Sequence, residues 1–194
     1  MKEHLAKLQA VTQHIFPLKP NDFEAFSTIW QPFDAKRKII LTHEGTIEQY
    51  VYFVLEGVQR AYSVGKDGRE TTLVFSYPPS FSGIADSFLL QKPSKYYLET
   101  LTPSSFLRTS YKQLDDLMLK NHAIERLMRL AISQTLAGVL ERQIELQSYS
   151  AEERFRTLLT RSGHVLTIIP HKYLASYLGM DATNFSKLLA TVRV

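Results

Sequence analysis

Residues 169–193 read Ile169-Pro-His-Lys-Tyr-Leu-Ala-Ser-Tyr-Leu-Gly-Met-Asp-Ala-Thr-Asn-Phe-Ser-Lys-Leu-Leu-Ala-Thr-Val-Arg193, and their spacing predicts a helix-turn-helix. Ala175 is small where two helices cross closely, Gly179 stands four residues on where a tight turn needs positive φ, and Phe185 and Leu188 pin the second helix. Leu174, Leu178 and Met180 take the remaining inward positions. The second helix then presents Ala182, Thr183, Asn184, Ser186 and Lys187 outward, a short, polar and partly basic face of the kind that enters a major groove.

Working back from this motif, Ser150-Ala-Glu-Glu153 is a capping box that opens a helix from Ala151 to Arg161, and Ser162-Gly163 closes it. Residues 121–147 contain no Pro and one Gly, Gly138, so one long helix is expected there. Along it Met128, Ile132, Leu136, Val139, Leu140 and Ile144 form an apolar stripe at three-to-four spacing, suited to a partner helix or to packing on the chain's own barrel. Between about Gln31 and Ser110 the texture is short runs of Tyr, Phe, Val, Thr and Leu broken by Gly and Pro. Tyr50 to Gly57, ending at a turn, Val58 to Val64 and Glu70 to Phe75 read as strands, the last two joined by Lys66-Asp-Gly-Arg69. Such spacing predicts a closed barrel or roll. At the N-terminus Leu5, Leu8, Val11 or Thr12, and Ile15 recur at helical spacing, and Pro20 sits in the first turn of a second helix.

The chain has 194 residues, 44% hydrophobic and 11% aromatic, with a net charge of +4. That balance suits a globular protein and permits, without requiring, attraction to a polyanion. With no cysteine, disulfides, thiolate zinc sites and cysteine nucleophiles are excluded. No run approaches the roughly 18 apolar residues of a membrane span, so no membrane partner and a cytoplasmic location are expected. His43-Glu44-Gly45 lacks companion ligands at recognisable spacing, and Asp86, Ser87, His122 and His164 form no nucleophile and base arrangement; neither a metal nor an enzyme is expected.

The order of parts resembles the cAMP receptor protein and fumarate-nitrate regulator (Crp/Fnr) family of bacterial transcription factors. The resemblance rests on Phe53-Val-Leu-Glu-Gly57-Val-Gln-Arg-Ala-Tyr62, Asp67-Gly68-Arg-Glu70, Phe81-Ser-Gly83, Lys92-Pro-Ser94, Leu98-Glu-Thr-Leu101, Ser150-Ala-Glu-Glu-Arg154-Phe155 and Ile169-Pro-x-x-Tyr173-Leu-Ala-Ser-Tyr-Leu-Gly179. The Lys-Pro-Ser and Leu-Ala-Ser-Tyr-Leu-Gly variants look most like the branch common in Bacteroidetes. It implies an α+β chain: a cyclic-nucleotide-binding-like β-roll (jelly-roll) with flanking helices over residues 1–120, a long dimerisation helix over 121–148, and a helix-turn-helix DNA-binding domain over 149–194. It implies a homodimer on double-stranded DNA reading a pseudo-palindromic site, with RNA polymerase and an unidentified small-molecule effector as further partners. By resemblance and chemistry, Lys187 and Thr183 are expected at base edges, Asn184 at adenine or a phosphate, and His171, Lys172 and Ser186 at phosphates. The chain departs from the family's best-known members where an Arg and a Glu open the recognition helix and a further Arg follows; here stand Ala182, Thr183 and Lys187. The sequence ends at Val194, where the family's β-wing is expected to be missing.

In the family, a cyclic-nucleotide pocket reads roughly Gly-Glu-Leu and, about ten residues on, Arg-Ser. Here the corresponding residues are Gly83, Ile84 and Ala85, followed by Asp86 and Ser87, with the Arg-Ser position at about Ser94 and Lys95. Without the Glu the ribose has no acceptor, and a displaced lysine offers a point charge in place of a bidentate fork. Cyclic AMP is therefore not the expected effector, and no cofactor is expected. Either another ligand occupies the roll around these residues, or aromatic side chains such as Phe88, Tyr96 and Tyr97 fill it. The rival reading is a small-molecule sensor whose helix-turn-helix makes only protein contacts; a third, a β-barrel metalloenzyme, would need bound metal.

Overall fold

Apolar residues at helical spacing place two helices ahead of the strands: α1 spans Lys2–Ile15 and α2 spans Pro20–Thr28, with Pro20 in the first turn where its missing N–H costs nothing. The computed structural model describes residues 1–192. Arg193 and Val194, on which the expectation of a missing wing rests, lie outside the described residues.

Eight strands follow: β1 (Gln31–Ala35), β2 (Ile40–Thr42), β3 (Tyr50–Glu56), β4 (Gln59–Val64), β5 (Glu70–Ser76), β6 (Ser80–Ser82), β7 (Tyr97–Thr100) and β8 (Ser104–Ser110), with α3 (Ala85–Leu90) between β6 and β7. They form two four-stranded sheets, ordered β1-β8-β3-β6 and β2-β7-β4-β5. Alternation along β3 and β8 separates two cores. Phe53, Leu55 and Leu107 join Leu8, Phe26, Trp30, Leu114, Ile124 and Leu127 against the helices. Tyr52, Val54 and Phe106 face the other way and pack with Ile84 and Leu98 inside the roll. Gly57 turns β3 into β4 at φ +86°, and a Cβ there would collide with the Pro103 carbonyl, so both the bend and the close approach require glycine.

After the roll come α4 (Tyr111–Lys120), opened by a Ser110/Gln113 capping box, and the 27-residue α5 (His122–Ser148). Then follow α6 (Ala151–Ser162), α7 (Val165–Ile168), α8 (His171–Tyr177) and α9 (Ala182–Thr191). The Ser150/Glu153 capping box opens α6 as its sequence predicts. Gly163 ends that helix at φ −54°, where its lack of a side chain admits the Leu159 carbonyl and no left-handed turn is involved.

The chain divides into two compact units, residues 1–61 with 75–134, and residues 62–74 with 135–194. That division runs through α5, which the sequence reading set apart as a segment of its own. The first unit holds both cores and a buried ion pair, in which Arg60 Nε donates to Glu99 Oε1 at 2.5 Å while Lys38 reaches the same carboxylate at 3.3 Å. In the second, the β4–β5 hairpin meets α8: the Thr72 N–H donates to Ser176 Oγ at 2.9 Å. Among the described residues no helix is long and apolar enough to cross a membrane.

Candidate functional site

Two regions carry candidate function. The first is the interior of the roll. Strand register sets Arg108 of β8 directly opposite Tyr52 of β3 and Gln31 of β1, so Tyr50 and Phe33 are its diagonal neighbours. The guanidinium carbon accordingly lies 4.0 Å from the Phe33 ring centre and 4.3 Å from that of Tyr50. Tyr52, beneath it, has its hydroxyl pKa pushed up by burial and by the nearby Glu48 charge, against the pull of Arg108. These residues line a cleft of about 360 Å³ together with Leu41, Thr42, Thr46, Ile47 and Gln49.

Glu48 is 2% exposed, and its carboxylate is held by donors from three elements. Thr42 Oγ1 donates to Oε2 at 2.5 Å, the Ile84 N–H to Oε2 at 3.3 Å and the Tyr50 N–H to Oε1 at 3.2 Å. Burial nevertheless pushes its pKa above the ordinary carboxylate value, the hydrogen bonds offsetting only part of the desolvation.

Of the expected effector residues Ile84 and Ser87 bond to Glu48, and none of the set lines the cleft. Gly83 makes the turn at φ +142°, Ile84 is buried in the roll core, and its amide is taken by Glu48. Ser87 Oγ accepts from the Glu48 N–H at 3.0 Å and donates to the Lys92 carbonyl at 2.6 Å. Ser94 is buried, with its hydroxyl donating to the Tyr96 carbonyl and accepting from the Tyr96 N–H. Ala85 is half-buried at the start of α3, while Asp86 and Lys95 are exposed. Of the aromatics expected to fill the roll, Tyr96 packs on the interior core, Phe88 belongs to the helical core on the far side of the sheet, and Tyr97 packs edge-on against His43. Tyr52, Phe106 and Phe33 fill the interior more than those three, because their register on β1, β3 and β8 turns them inward.

The second region is the pair α8 and α9. Leu178 N–H bonds the Leu174 carbonyl and Met180 N–H the Ala175 carbonyl, closing a turn in which Gly179 has φ +65°. Asp181 caps α9, accepting from the Asn184 N–H at 2.8 Å. Leu174, Ala175, Leu178, Met180, Phe185 and Leu188 are buried, and Phe185 meets Phe155 of α6 edge-on. Thr183, Ser186 and Lys187 are exposed on α9 and Asn184 is half-buried. His171 and Lys172 are exposed at the start of α8, His171 against the Phe185 ring and Lys172 Nζ 4.6 Å from the Tyr173 ring centre. A polar network that sequence reading missed ties α6 and α8 to the end of α5. Glu145 accepts from Arg142 Nη1 at 2.7 Å and from Arg161 Nη2 at 2.9 Å, and Arg142 also donates to the Tyr177 carbonyl.

On α5 itself the apolar stripe divides. Met128 is buried in the helical core and Ile132 is half-buried, whereas Leu136, Val139, Leu140 and Ile144 are 56%, 47%, 50% and 57% exposed. The first two residues of the stripe therefore pack at least partly within the chain. The last four are left largely uncovered by it.

A two-sheet roll with flanking helices, followed by a long helix and a helical C-terminal unit, defines the class of the chain, and residues 33–121 match the cyclic nucleotide-binding domain family. No curated protein matches the sequence. Among solved structures the chain is similar to FixK2 from Bradyrhizobium japonicum (TM-score 0.75, 19% identity, covering 84% of this chain and 83% of that one). It is also similar to the catabolite activator protein of Thermus thermophilus (0.58, 17%, 89% and 83%) and to the c-di-GMP-responsive global regulator CLP of Xanthomonas campestris (0.63, 18%, 89% and 90%). Identities this low show a shared fold and nothing more specific.

Proposed function

We propose that the chain is a non-enzymatic, DNA-binding transcription regulator of the Crp/Fnr type that works as a homodimer. The observation that carries this reading is the α8–turn–α9 pair, a helix-turn-helix whose buried side is fixed by Phe185 and Leu188 and whose exposed side offers Thr183, Ser186 and Lys187. In this reading Lys187 donates to guanine, Thr183 touches a thymine methyl and Asn184 faces adenine or phosphate, while His171, Lys172 and Ser186 hold the backbone. The exposed stripe Leu136, Val139, Leu140 and Ile144 pairs with its copy across a twofold axis, setting two recognition helices about 34 Å apart. RNA polymerase is a further partner of such a regulator. The Lys92-Pro-Ser94 motif supports the Bacteroidetes-like branch.

Cyclic AMP does not control this regulator. The turn amide at Ile84 already receives the Glu48 carboxylate, Ser94 is bonded within its own loop, and Lys95 is exposed, all of which support that reading. Gel-shift selection of genomic fragments with the full chain tests the function. A preferred, pseudo-palindromic site bound with strong salt sensitivity is expected. A folded dimer that selects no fragment would refute it.

A further inference from the structure

We propose that the cleft at the Arg108 end of the roll binds a small aromatic carboxylate, whose carboxylate pairs with the Arg108 guanidinium while its ring lies among Phe33, Leu41 and Tyr50. The site is separate from the Gly83–Ser87 turn, none of whose residues lines it. It rests first on an unpaired charge. The buried arginines Arg60 and Arg142 each hold a glutamate at 2.5 and 2.7 Å, yet among the described residues no carboxylate comes within 4 Å of the half-buried Arg108. Glu48 shares the cleft but turns its oxygens to Thr42, Tyr50 and Ile84, so it makes no ion pair with Arg108.

Geometry then narrows the ligand. The rings of Phe33 and Tyr50 contact the guanidinium and the Tyr52 hydroxyl accepts a hydrogen bond from it, holding it in place, while a fork of five N–H donors keeps an edge with donors to spare. A planar two-oxygen acceptor matches that edge, as in other fork-to-fork pairs. Besides Arg108 and Glu48, the lining is mostly aliphatic and aromatic, which calls for an apolar, flat body. At about 360 Å³ the cleft lies at the small end of ligand pockets, suiting a single ring with its acid group.

Calorimetric titration of the full chain with benzoate, in the absence of DNA, tests this independently of the regulator reading. Saturable binding of one benzoate per chain is expected, weakened at least about tenfold by Arg108→Gln and unchanged by Lys95→Ala, an exposed position outside the cleft. Benzamide, with the same ring and no charge, should bind at least about tenfold more weakly than benzoate, a comparison that needs no variant. Tyr50→Leu, which keeps the cation but removes one ring, should weaken benzoate as well. Equal affinity for benzoate and benzamide, equal benzoate binding by a folded Arg108→Gln chain, binding of inorganic phosphate without benzoate, or no saturable benzoate binding up to about 10 mM would each overturn the proposal.

Discussion

Ile144→Glu is the substitution that bears most on how two copies of this chain come together. Leu136, Val139, Leu140 and Ile144 each leave about half of the side chain exposed, and full burial of such a residue is worth about 1.5–3 kcal/mol. Covering the exposed half therefore yields about 1 kcal/mol per residue, or about 8 kcal/mol for four residues on two protomers, before association entropy is subtracted. Removing Ile144 from both sides takes away about 2 kcal/mol, a fall of about 30-fold in dimer affinity, and two carboxylates facing each other across the twofold axis add to it. Because residue 144 is largely exposed in the single chain, folding should not suffer. Sedimentation equilibrium should show the wild type as a dimer and the variant shifted to monomer at the same concentration, with an unchanged thermal midpoint in the monomer and a matching loss of gel-shift affinity. A variant that stays fully dimeric, or a wild-type monomer, would show that this stripe does not hold two copies together.

The roll makes two further predictions. Glu99→Ala strands Arg60 in the interior without its partner, so urea unfolding should show a loss of about 3–5 kcal/mol. Glu48 has a folded pKa above its ordinary value, so the native state holds its proton more tightly than the unfolded chain; this group favours folding most at low pH and loses that contribution as pH rises through the interval above about 4.5. Glu48→Gln should flatten that part of the stability profile, measured by thermal unfolding against pH, and an unaltered profile would contradict the assignment.

Local signals made much of the architecture legible. Ser150 and Glu153 stand three residues apart and close their capping box within one turn, and the Ala175, Gly179, Phe185 and Leu188 spacing is a property of two adjacent helices. Met128 was harder to place, because a stripe at helical spacing does not say where a helix leaves its own core and begins to face elsewhere. The cleft was invisible for a related reason. Arg108 meets Tyr52 and Phe33 only through strand register, and Glu48 reaches Ile84 across 36 residues, so no motif in the sequence joins them. The family pattern points to Ile84 and Ser94, and the structure gives their polar groups to partners within the chain.

Hydroxyl-radical footprinting on a selected DNA site most directly tests whether this chain reads DNA as a symmetric pair of recognition helices. Two protected segments about one helical turn apart are expected, related by the pseudo-dyad of the site, with Lys187→Ala weakening both equally and lowering the salt slope by about two per dimer. A single protected segment, or uniform protection indifferent to sequence and to Lys187, would contradict it.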